Sequence, residues 1–363
     1  MPDVRRGLFA LLIALLCALP STAATRAQDG GGQVDVFLEV IAEAGTARVY
    51  FVDAVSGLST IVRVDNGHRY TLVGNHVIYE KETSGAIMRA NADGTLEPHP
   101  FIRRGVSVRS VRWVVSPDRE ALAWVLVDQE GRSEAFVSWA DGGDLRQLPI
   151  PSPSLGYELS PLAITNGRTR FFYDEARPAG LADVPYQTFA SVTEYSISDE
   201  AFIPLPDEPL CPCGAALAAD GHVLARLEAA QGTGPFALRV QDLSSGADLR
   251  ILAPELPYRN AGDLLLNDSG ALGVYSVAGG VGTEGDLLNE QYALVLVDTI
   301  AGQQYLVLPP GPVRYRPVAF WDDDNALLLV AANDGSTHKL DLTSRELLRV
   351  SDLTYLGTIT SAP

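Results

Sequence analysis

Apolar residues in this chain come in short runs that alternate with polar ones, and each run stops at a glycine, asparagine, aspartate or proline. Between Val34 and Thr360 the rhythm has a period of two, as in β-strands, and no stretch sustains a capped 3.6-residue helical period. The best-written unit is Ser110–Pro149. In it, Val111, Trp113 and Val115 alternate with Arg112 and Val114, and Ser116-Pro117-Asp118-Arg119 then reads as a type I turn. The next strand, Ala121–Val127, is apolar on both faces, with Leu122, Trp124 and Leu126 opposite Ala121, Ala123, Val125 and Val127. Such a strand has to be covered on both sides. A more mixed strand, Ser133–Trp139, and a proline-marked exit at Pro149 complete the unit.

Weaker copies recur along the chain. Strand runs end at Pro98, Pro149, Pro204, Pro254 and Pro309, in steps of 50 to 55 residues. A second set of markers, Asn75, Asp118, Asn166, Asp220, Asp268 and Asp324, lies in or beside tight turns at steps of 43 to 56. Two sets of markers with a period near fifty describe tandem units. Blades packed face to face cover two-sided strands, whereas an immunoglobulin-like sandwich has no such repeat. The expected fold is all-β: a β-propeller of about seven four-stranded antiparallel blades, with six as the alternative, forming one domain over residues 34–360. The blades are expected near Val34–Val73, Gly74–Pro100, Arg109–Pro151, Tyr157–Pro206, Ala215–Pro254, Gly262–Pro310 and Pro317–Val350. The last run, Leu353–Thr360, is expected to add a strand to the first blade and so close the ring.

Ser116-Pro117-Asp118 followed by Ala121-Leu122-Ala123-Trp124 resembles the signature of TolB-type, WD-like propeller repeats. Asn91-Ala92-Asp93-Gly94-Thr95 resembles the turn that precedes it in those repeats. The resemblance covers about residues 86–150; elsewhere Leu217–Gly221, Leu266–Gly270 and Phe320–Asn325 keep the turn without the Ser-Pro. Arg119 stands where the family usually has glycine. The resemblance implies the propeller fold and an exported bacterial protein; it does not imply one activity, because such repeats serve many roles.

Composition agrees with strands and turns: of 363 residues 47% are hydrophobic, and there are 33 glycines and 23 prolines. The formal charge is −18 and only Lys81 and Lys339 are lysines. Phosphate backbones would repel such a chain, so nucleic acid is excluded as a partner. At the N-terminus Arg5 and Arg6 precede the apolar run Leu8–Leu19 and the small residues Ser21–Ala24. This reads as a secretory signal peptide over residues 1–27, followed by a short linker at 28–33. Twelve apolar residues are short for a bilayer span. The mature protein is therefore expected in the periplasm, cell envelope or outside, with a retained signal anchor or a lipid on Cys17 as alternatives. In an oxidising compartment Cys211 and Cys213 should pair across Pro212 into a small, strained disulfide ring. That pair reads as a loop staple, with a redox or metal-binding role as the alternative.

Catalytic signatures are absent: there is no G-x-S-x-G elbow, H-E-x-x-H, P-loop or G-x-G-x-x-G. The five histidines are scattered without ligand spacing, and Asp322-Asp323-Asp324-Asn325 lacks the glycine and distal glutamate of an EF-hand loop. No metal or cofactor is expected. Residues that lead into each innermost strand would line the mouth of a central channel. They include Arg69, Arg103, Arg104, Tyr157, Tyr258, Arg259, Arg314, Tyr315 and Arg316. Arginine and tyrosine converging in an acidic chain make a site for a carboxylate, a sugar acid or an acidic peptide end. The expected function is a monomeric, non-catalytic recognition scaffold that binds a protein or glycan outside the cytoplasm. A lyase or hydrolase on the propeller face, or a stand-alone relative of the prolyl-oligopeptidase propeller, is the alternative.

Overall fold

The turn Ser116–Arg119 shows how each unit starts. Ser116 bonds Ala121 twice: its backbone N–H donates to the Ala121 carbonyl at 2.9 Å, and its Oγ accepts the Ala121 N–H at 2.9 Å. Asp118 Oδ1 takes the Ser116 hydroxyl and the Glu120 N–H, and the Arg119 N–H closes the turn onto the Ser116 carbonyl. Arg119 holds a left-handed φ of 64°. Glycine suits that conformation without a Cβ penalty, which accounts for its use at this position in the repeats that the chain resembles.

The structure, a computed structural model, describes residues 32–154, 156–176, 186, 192–203, 214–229, 236–252, 260–280 and 290–360. The signal peptide expected at 1–27, most of the linker at 28–33, and Cys211, Cys213, Tyr258 and Arg259 lie outside the described residues. The strands form seven four-stranded antiparallel sheets, so the protein is a seven-bladed β-propeller. Among the described residues the only helical turns are 3₁₀ turns at Ala42–Ala44 and Asn166–Arg168, and no helix is long and apolar enough to cross a membrane.

Blades are numbered here in chain order. Their innermost strands are Thr354–Thr360, Gly67–Val73, Val108–Val115, Glu158–Ile164, Ala215–Leu217, Asn260–Leu266 and Tyr315–Trp321. These strands meet one another around a central channel. They begin at one face, called upper here, and turn back into the second strand of the blade at the lower face. The C-terminal strand closes the ring by pairing antiparallel with Gln33–Ile41, Val34 lying opposite Ile359. It takes the innermost place of blade 1, so the first two blades divide differently from the sequence expectation. Gly67–Val73 does not end blade 1 but begins blade 2 by pairing with His76–Lys81. A period of two marks a strand but does not say which sheet it joins.

The recurring turn markers link blade to blade around the lower face. Asp118 donates its backbone N–H to Asn166 at 3.0 Å, and the Asn166 amide donates in turn to the Ala219 carbonyl. The Asp220 N–H reaches the Asp268 carbonyl at 3.0 Å, and Asn267 donates to Asp324 at 2.8 Å. Buried apolar side chains form clusters between blades 1 and 2, 2 and 3, 3 and 4, 4 and 5, 5 and 6, and 6 and 7. No such cluster among the described residues joins blade 7 to blade 1.

Candidate functional site in the central channel

The innermost strands are not regular. Each carries a β-bulge in blades 1, 2, 3, 4, 6 and 7. In blade 2 the bulge sets Arg69 and Tyr70 opposite the single residue Tyr79; in blade 6 it sets Asp263 and Leu264 opposite Tyr275. Arg69 (φ 60°) and Asp263 (φ 53°) are both left-handed. Such conformations cost about 1–3 kcal/mol each for residues other than glycine, and a bulge re-aims the side chain that it carries. The upper half of the channel thus carries two charged residues in strained positions.

The arginines expected at the upper mouth divide into two groups. Several are spent on the protein itself. Arg104 pairs with Glu80 of blade 2 at 2.8 Å, also bonds the Val108 and Arg109 carbonyls, and lies across Gly85, where a Cβ would strike its guanidinium. Arg103 donates to the nearby Pro100 carbonyl at 3.0 and 3.2 Å. Arg314 forks onto Asp263 of blade 6 at 2.9 and 3.1 Å and stacks 4.9 Å from the Tyr186 ring. Tyr315 packs into the cluster between blades 6 and 7, edge-on to His338. Tyr157 is half-buried at the start of blade 4.

Arg69 and Arg316 form the second group. Arg69 donates to the Val111 carbonyl and lies 5.3 Å over the Trp113 ring, whose Nε1 donates to Thr71 at 3.0 Å. Neither arginine has a carboxylate partner among the described residues. Both are open to water, yet burial lowers their pKa values, with Glu80 opposing the shift at Arg69 and Asp263 at Arg316. Exposure to water combined with surrounding protein is what a side chain in a narrow aqueous channel experiences. Guanidiniums stay protonated even so.

Other charged residues complete this end. Glu158 of blade 4 is 2% exposed, ion-pairs with Arg109 and accepts Arg112 of blade 3 at 3.0 Å. Burial lowers the Arg112 pKa, and the Arg69 and Arg109 charges lower it further. Asp263, Arg109 and Arg112 sit inside runs that look like ordinary strand, and bulges re-aim the first two. The lower half of the channel is different: a cavity of about 940 Å³ walled by Val114, Leu162, Leu217, Leu265 and Phe320. Its rim carries Asp268 and Asp322–Asp324, the last three all left-handed. Among the described residues, no group of three or more histidine, cysteine, aspartate or glutamate side chains is arranged to hold a metal ion.

No protein-family model matches the chain, and neither does any curated protein. Solved structures do. An oligogalacturonate lyase from Vibrio parahaemolyticus aligns with a TM-score of 0.55 at 10% identity, covering 87% of this chain and 100% of the other. Kuenenia stuttgartiensis hydrazine synthase aligns at 0.52 and 11% identity, covering 76% of each chain. TolB from Acinetobacter baumannii aligns at 0.44 and 15% identity, covering 86% of this chain and 71% of its own. At these identities the first two establish a shared propeller fold, the architecture that the TolB-like repeat led one to expect.

Proposed function

We propose that the protein is an exported, non-catalytic, monomeric recognition propeller that binds the anionic end of a peptide or an acidic glycan at the upper channel mouth. One observation supports this reading above the others: Arg69 and Arg316 are wet, surrounded by protein and without a carboxylate partner among the described residues. The remaining arginines frame them, and Arg104 and Arg314 tie neighbouring blades together so that the mouth keeps its shape. Tyr258 and Arg259 belong to the same proposed site by their place ahead of the blade 6 inner strand. The net charge of −18 repels nucleic acid, and the N-terminal apolar run with its small residues supports export through a cleaved signal. A partner in the periplasm, envelope or medium follows from that address.

The test is an array of acidic peptides and uronate-containing glycans probed with wild type and with the Arg69→Ala/Arg316→Ala double variant. Removing two charge-assisted contacts should weaken binding by at least about a hundredfold. Binding unchanged in a folded double variant rules the channel mouth out.

A further inference from the structure

A second cavity, of about 820 Å³, lies on the lower face where blades 1, 2 and 3 meet. Asn75, His76, Arg119, Trp139, Asp141 and Thr358 are among its walls. Two of these groups lack a partner. His76 is 3% exposed, and its Nε2 makes no hydrogen bond, while Nδ1 lies 3.4 Å from the Asn75 side-chain oxygen. Arg119 has no carboxylate partner among the described residues. Adjacent Asp118 has turned its Oδ1 to the Ser116 hydroxyl and the Glu120 N–H instead.

Arg119 also occupies a built position. Its left-handed φ would be relaxed by glycine, yet the chain keeps arginine there. The guanidinium lies against Gly357 of the closing strand, where any Cβ would collide with it. Burial lowers its pKa, opposed only by the Tyr355 phenol. A strained residue with a cradle cut for its side chain, placed between the cavity and the channel, is not explained by folding.

The rest of the wall selects the ligand. Arg89 is already paired with Glu97, which leaves Arg119 as the available cation. Asp118, Glu120 and Asp141 also line the cavity. A dianion such as phosphate would meet three carboxylates for one guanidinium. A monocarboxylate carrying hydroxyls fits better: one charge on Arg119 and O–H donors toward the carboxylates. The volume falls within the range of small-molecule sites, about 300–1,000 Å³.

We propose that this lower-face cavity is a separate ligand site for a sugar monocarboxylate, with its carboxylate on Arg119 and its hydroxyls on the Asp118, Glu120 and Asp141 carboxylates. The proposal does not depend on the upper-mouth reading. Titration calorimetry of the full chain with galacturonate, galactose and acetate tests it. Galacturonate should bind, and galactose and acetate should each bind at least about tenfold more weakly, since each lacks half of the recognition. Arg119→Gly should weaken galacturonate at least about tenfold without lowering the melting temperature, because glycine suits the φ. In the Arg69→Ala/Arg316→Ala background, which disables the upper mouth, a galacturonate signal that depends on Arg119 should remain. The proposal fails if galacturonate gives no heat, if Arg119→Gly binds like wild type, or if the channel double variant abolishes the signal.

Discussion

The seam between blades 2 and 3 and the seam between blades 7 and 1 hold the same kind of sheet to its neighbour by different means. At the first, Val73, Ile78, Ile102, Val111, Leu122 and Trp124 form a dry cluster. An aromatic series runs beside it: His99 packs edge-on against Phe101 at 4.4 Å, Phe101 lies 5.6 Å from Trp124, and Trp124 stacks on Phe136 at 5.5 Å. At the second, backbone and hydroxyls do the joining. Thr337 accepts the Tyr355 N–H at 3.0 Å and donates to the Leu353 carbonyl at 2.6 Å, and Thr354 donates to the Gly335 carbonyl at 2.7 Å. Exposed Ile61 and Leu348 sit on the outer strands of blades 1 and 7. The ring is thus closed through strand pairing inside blade 1, and its last seam needs less side-chain packing than the others.

That contrast predicts unequal sensitivities. Trp124→Ala removes a side chain that is 2% exposed from the centre of the apolar seam and should cost about 3–5 kcal/mol in urea denaturation. A loss under about 1 kcal/mol would mean that this seam is not held by its aromatic packing.

Blade 3 was legible in the sequence because its patterns agree at every level: alternation, the Ser-Pro-Asp turn and the two-sided strand specify one answer. The closure at Leu353–Thr360 was legible for a different reason, since an unpaired terminal strand beside an open edge has one natural place. Two things were hidden. The bulges at Arg69 and Asp263 leave no mark, because a strand with one extra residue has almost the same composition as a regular one. The partners of the arginines were hidden as well: Glu80 lies 24 residues from Arg104 and Asp263 lies 51 from Arg314, so sequence adjacency showed converging charge but not its neutralisation. Position relative to the strand start could be read; which guanidiniums stay unpaired could not.

The apolar seam also carries a pH dependence. Burial lowers the His76 pKa to about 4 and the His99 pKa to about 3. Arg89 lowers both further, Glu97 opposes the shift at His76, and His76 adds to the shift at His99. Above pH 6.5 both histidines are neutral folded or unfolded, so the stability is complete. As the pH falls below 6.5 the unfolded chain takes up protons first, and stability is lost progressively toward pH 4. The loss should be on the order of 2–3 kcal/mol between pH 7 and 5.5. His76→Phe should shrink it by about half; an identical pH slope in that variant would show that other groups carry the effect.

The smallest effect belongs to the closing seam. Thr337 is 1% exposed, and its hydroxyl both accepts from and donates to the start of the closing strand. Thr337→Val keeps the shape and removes both bonds, leaving the Tyr355 N–H and the Leu353 carbonyl without that partner. A cost of about 1–2 kcal/mol is expected, below that of Trp124→Ala, because two neutral hydrogen bonds are lost but no cavity opens. The antiparallel ladder from Gln33 to Leu38 remains to hold the strand in place. If Thr337→Val proves as damaging as Trp124→Ala, the hydroxyl is a keystone rather than one of several ties. The ring would then be closed from blade 7 and not, as the pairing of Val34 with Ile359 indicates, from within blade 1.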